Sequence, residues 1–69
     1  MEELLIHFRF RLPRYEHDFY IQIFEVKVQH PFYRVSWKNI ENNHVDVVSK
    51  YSYQDALSYV FHKIEKYRV

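Results

Sequence analysis

Polar and apolar residues alternate from Leu4 to Leu12. Ile6, Phe8, Phe10 and Leu12 fall on one parity, and His7, Arg9 and Arg11 on the other. A period of two sustained over such a stretch predicts a strand with one face buried. Pro13 lacks an amide donor and ends the run, and the polar Arg14 to Asp18 predicts a loop.

The next run, Phe19 to Gln29, is rich in aromatic and β-branched residues and has neither Gly nor Pro. It predicts one long strand, roughly 36 Å if fully extended. Its alternation is ambiguous. Tyr20, Phe24, Val26 and Val28 share a parity with Gln22, while Phe19, Ile21 and Ile23 share the other with Glu25, Lys27 and Gln29. Either a bulge near Ile23 exchanges the faces, or the strand is regular and partly apolar on both sides. The regular reading is preferred, because it leaves only Gln22 misplaced on the core side. It turns Ile21 and Ile23 outward.

Pro31 suits the second position of a tight turn after His30. Tyr33 to Asn39 predicts a third strand, with Tyr33, Val35 and Trp37 opposite Arg34, Ser36 and Lys38. Glu41-Asn42-Asn43-His44 predicts a turn, since Asn tolerates the left-handed region. Val45 to Ser49 predicts a short fourth strand. Ser52 opens a helix: Asp55 stands three residues on, and Leu57, Val60, Phe61 and Ile64 form an apolar stripe that Tyr67 or Arg68 extends. The expected fold class is therefore α+β: a three- to four-stranded antiparallel meander (β-β-β-β-α) with one C-terminal helix on one face, in a single domain over 1–69. Short connections favour the antiparallel meander.

Composition narrows the picture. Sixty-nine residues allow one core. Cysteine is absent, which excludes disulfides and Cys-based metal sites and fits a reducing compartment. Glycine is absent too, so Gly-rich phosphate loops are excluded. Ten basic against nine acidic residues make no polycation; a nucleic-acid role needs a local basic patch. No long apolar run predicts a membrane span, and Glu2 and Glu3 stand where a signal peptide carries positive charge. A cytoplasmic location is expected. The Tyr, Phe, Ile, Asn and Lys content suits an AT-rich genome, a class that includes many phages and mobile elements.

The candidate chemistry lies on the sheet face that a single helix leaves open. Arg9, Arg11, Arg34 and Lys38 point to it, with Ile21 and Ile23 as its apolar centre. Arginine around an apolar patch is interface chemistry. The five histidines are scattered, without metal-ligand spacing; Glu16-His17-Asp18 is the densest group and a weak signal. No nucleophile motif is present, and one sheet layer with one helix offers little concavity, so no catalytic residue, cofactor or metal is expected. The sequence thus points to a small non-enzymatic binding protein that blocks or modulates a larger protein with an acidic surface, as a monomer or homodimer. An inhibitor of a host defence or nucleic-acid-processing protein, encoded by a phage or mobile element, fits this size and composition. A nucleic-acid-binding module or small transcriptional regulator is the alternative.

Overall fold

A computed structural model describes residues 1–12, 18–41 and 43–68, with backbone alone at 67 and 68. Four strands and one helix follow in order: β1 (Glu2–Phe10), β2 (Phe19–Val26), β3 (Phe32–Asn39), β4 (His44–Lys50) and α1 (Tyr53–Arg68). The strands form one antiparallel sheet in the order β1-β2-β3-β4. The fold is the expected α+β meander with its helix on one face. The expected roles of Pro13, Arg14 to His17, and Asn42 fall outside the described residues, as do the side chains of Tyr67 and Arg68.

The turn between β3 and β4 solves the lack of glycine with asparagine. Asn43 takes the left-handed conformation at φ 57°. The Asn39 side-chain oxygen accepts the Glu41 N–H at 3.0 Å. At the head of α1, Ser52 Oγ accepts the Asp55 N–H at 3.0 Å, and the Ser52 carbonyl accepts the Ala56 N–H at 3.1 Å. Ser52 is thus the N-cap, and Asp55 sits in the first turn, where the helix dipole favours a carboxylate.

The core settles the parity of β2. Phe19, Ile21, Ile23, Val35 and Trp37 are its largest fully buried side chains, under Ala56 and Val60 of α1. Ile21 and Ile23 are 0% and 1% exposed, so the expectation that they form an outward apolar patch is corrected: both are core residues. β2 is regular, as expected, but its faces are the reverse of those assigned from the sequence. Tyr20, Gln22 and Phe24 point away from α1, paired across to Arg9, His7 and Leu4.

The irregularity lies in β1. Leu4 pairs with Phe24 and Ile6 with Ile23, so Leu5 is an extra residue on the β1 side. C-terminal to this bulge, Ile6, Phe8 and Phe10 face the helix layer beside Ile23, Ile21 and Phe19. Phe10 stacks on Phe19 at 5.6 Å and meets Trp37 edge-on at 5.3 Å. The helix packs on β3 and β4, and Phe8, on the far strand, stays partly exposed.

Two substitutions test this parity. Ile21→Ala should cost about 2–5 kcal/mol in urea unfolding, as truncation of a fully buried aliphatic side chain does. Gln22→Ala should stay within about 0.5 kcal/mol, as a substitution on the outward face. The opposite ranking would restore the outward placement of Ile21.

Candidate functional site

The open face is built of three rows that cross all four strands. Register aligns Arg9, Tyr20, Lys38 and Val45 in the first row. His7, Gln22, Ser36 and Val47 form the second. Leu4, Phe24, Arg34 and Ser49 form the third. Opposite residues in an antiparallel pair share a face, about 5 Å apart, and residues two along the strand are roughly 7 Å away. The face is thus a small grid: cation and phenol in one row, imidazole, amide and hydroxyl in the next, aromatic and guanidinium in the last.

A shallow basin occupies its middle, lined by His7, Tyr20, Gln22, Ser36 and Lys38. Arg9 lies over the Tyr20 ring at 5.6 Å, and the His7 ring is 5.9 Å from that of Tyr20. Arg34 lies 5.0 Å from the centre of the Phe24 ring.

Of the four cations expected on this face, Arg9, Arg34 and Lys38 stand on it by register and Arg11 lies just past the end of β1; they are not equivalent. Arg9 and Arg11 both donate to Asp18, Arg9 to Oδ2 and Arg11 to Oδ1 at 3.0 Å. Arg34 pairs with Glu2 at 2.5 Å. Lys38 has no ion pair among the described residues. Two carboxylates therefore temper the four cations, and the residual positive charge is centred on the basin. Hydrogen bonding from Arg9 holds the Asp18 carboxyl below the usual carboxylate range; Arg11 adds to this and desolvation opposes it. The Arg9 guanidinium is raised by the same bond.

The register puts Arg9, Arg34 and Lys38 on this face, while Arg11 lies just past β1 and shares Asp18 with Arg9; Tyr20, Gln22 and Phe24, not assigned to this face from the sequence, stand between the cations. A usable signal was present. Within the span that pairs with β1 beyond the bulge, Phe19, Ile21 and Ile23 are uniformly apolar, whereas the other parity contains Gln22.

A second polar cluster joins α1 to β4. Asp46 accepts from Lys63, and its Oδ1 lies 2.9 Å from His44 Nε2. The Lys63 ammonium also lies over the Trp37 ring at 5.6 Å. The Lys63 bond is the main reason the Asp46 carboxyl is held low. Burial pulls the Lys63 ammonium down, but its hydrogen bonds to Asp46 and Tyr59 outweigh this and raise it. The cluster tethers the helix to the sheet edge.

Among the described residues no group of three or more His, Asp or Glu side chains is placed to hold a metal ion. Among them, too, no helix is long and apolar enough to cross a membrane. Compared with protein-family models, with curated proteins and with solved structures, the chain matches none.

The paired arginines give a pH prediction. Because the folded-state pKa of Asp18 is depressed, its contribution to stability is present above the unfolded carboxylate range and is lost as pH falls through the folded value. Carboxyl-carbon NMR titration should find the Asp18 midpoint below the ordinary value of about 3.9. In Arg9→Gln the midpoint should rise. A midpoint at or above the ordinary value in the unmodified chain would show that the double pairing does not persist in solution.

Proposed function

We propose that this chain is a small non-enzymatic binding protein that acts by occupancy. It lays its open sheet face on an acidic surface of a larger protein and blocks or modulates that protein. The observation that supports this most directly is the basin flanked by Lys38, a cation with no ion pair among the described residues, and by Arg9 over Tyr20. A carboxylate seated there is offered the Lys38 ammonium, the Tyr20 and Ser36 hydroxyls and the Gln22 amide. Around it, Phe24 with Arg34 and the exposed Val45 and Val47 supply the aromatic, arginine and aliphatic contacts that protein interfaces favour. The corrected site is Arg9, Tyr20, Gln22, Arg34 and Lys38, with Arg11 at its rim. The cytoplasm of an infected cell, and a host defence or nucleic-acid-processing protein as target, fit the composition and belong to this proposal.

One observation favours a second reading. Tyr20 and Phe24 stand on the same face as Arg9, Lys38 and Arg34, the interleaving of rings and cations on which single-stranded nucleic acid stacks. Against it, Asp18 and Glu2 neutralise half of the four cations, which leaves little charge to track a phosphate backbone.

One experiment separates the readings. The chain is immobilised as bait in host extract beside its Arg9→Glu/Lys38→Glu variant, and both are titrated with a fluorescent single-stranded oligonucleotide at several salt concentrations. A protein retained by the parent chain and lost from the variant, with the variant's circular dichroism unchanged, supports docking through the open face. Equal retention by both excludes this face. Oligonucleotide binding that falls log-linearly and steeply with salt would favour the second reading.

A further inference from the structure

The two free edges of the sheet are treated differently. β1 is protected: the bulge at Leu5 breaks its pairing register, and Glu2, Glu3 and Arg9 place charges along it. β4 pairs with β3 in unbroken register from His44 to Lys50, with neither bulge nor proline. On its open-face side Val45 and Val47 are 45% and 54% exposed, and Tyr51 beyond it is 82% exposed. A regular edge rich in β-branched residues is a template for another strand.

The charges on β4 identify that strand. Asp46, Val48 and Lys50 alternate on the helix side. In antiparallel pairing about a two-fold axis at Val48, each Asp46 stands opposite Lys50 of the second copy. Val47 then meets Ser49, and Val45 meets Tyr51. Moving the axis to Val47 sets His44 opposite Lys50 and leaves Asp46 opposite Val48, with no carboxylate facing a cation. The pattern is self-complementary in one register only. Lys50 has no carboxylate partner within its own chain among the described residues; it lies over the Tyr59 ring at 5.4 Å.

We infer that β4 is a homodimerisation edge, joining two copies about a two-fold axis at Val48 into one continuous eight-stranded sheet. The helix layer is compatible with it. Because α1 rests on β3 and β4, its axis lies about one strand spacing from the two-fold axis. The two helices then run antiparallel about 10 Å apart, an ordinary packing distance. Asp55, Tyr59, His62 and Lys66 share the flank of α1 that faces the second copy, at i, i+4, i+7 and i+11. Antiparallel alignment brings the acidic first turn of each helix toward the cationic end of the other. A groove lined by Tyr59, His62, Lys63 and Lys66 lies on this flank. Both open faces end up on one side of the joined sheet, so the dimer doubles the grid of rows.

The chain lacks cysteine, which makes disulfide trapping clean. Val47→Cys and Ser49→Cys variants are prepared separately and then mixed under mild oxidation. Directly opposite Cβ atoms in an antiparallel pair come within reach of a disulfide. The mixture should cross-link far more than either variant alone. Sedimentation velocity of the unmodified chain should show a concentration-dependent dimer. Lys50→Glu, which sets Glu opposite Asp46 twice per dimer, should weaken that dimer at least about tenfold with unchanged circular dichroism. Three results would overturn the inference: a monomer at all concentrations, Val47→Cys cross-linking best with itself, or Lys50→Glu dimerising as well as the parent.

Discussion

The structure depends on the burial of a single row of large side chains beneath a single helix. Phe19, Ile21 and Ile23 of β2 lie beside Trp37 and Val35 of β3, and Ala56 and Val60 of α1 close over them. At about 25 cal/mol per Å² of apolar surface, a chain this short has few such groups to spare, and it has no disulfide to add. Because side chains alternate along a strand, the inward turn of Ile21 and Ile23 dictates that Tyr20, Gln22 and Phe24 turn outward. Every property of the open face follows from that parity. The bulge at Leu5 is its counterpart in β1: the inward Ile6, Phe8 and Phe10 are kept in phase with β2, while the start of the strand, where Leu4 faces outward, runs on the opposite phase.

Most of the fold was legible because local signals agreed with one another. The β1 alternation, the Tyr33–Asn39 alternation, the asparagine turn and the Ser52 cap each point to one conformation for a stated physical reason, and each stands in the structure. The face of β2 was not legible from its full length. Val26 and Val28 weighed the Tyr20 parity toward the core, yet Val26 is buried outside the core cluster and Val28 lies past the end of the strand, half exposed. Only residues beneath the helix report on the core, and helix coverage is a tertiary fact. The bulge at Leu5 was hidden for a related reason. Leu4, Leu5 and Ile6 are consecutive aliphatic residues, so no polar residue marks where the phase shifts. At the candidate site the cations were readable, and the residues between them become so only once the span paired beyond the bulge is known.

Charge on the open face is better described as exchangeable than as fixed. Exposed ion pairs contribute about 0–1 kcal/mol, since water and salt compete for both partners. Arg34 can therefore exchange Glu2 for a carboxylate on another protein at little cost. Asp18 is a different case. It accepts from two guanidiniums and its side chain is largely covered; the Arg9 bond, with Arg11, depresses its pKa against the opposing desolvation. It holds Arg9 and Arg11 beside one another, with Arg9 over Tyr20. Lys38 requires no exchange, so under the proposed function the first row is where an incoming carboxylate would gain most.

A flat face of this kind has little concavity, so under the proposed binding role affinity would come from area and stiffness. Four antiparallel strands supply stiffness: their register is fixed by backbone hydrogen bonds, and binding then orders only side chains. Area is the scarcer quantity. Roughly 800 Å² per partner is usual for a stable complex, and four short strands spaced about 5 Å apart expose a face of a few hundred square ångströms. The proposed pairing of β4 with its own copy would relieve that shortage without lengthening the chain, because two faces would then lie side by side in one sheet. The bulged, charged β1 edge and the regular β4 edge thereby acquire a common explanation. On that proposal, growth of the sheet is permitted at one end and stopped at the other, which would yield a closed pair and not a fibre.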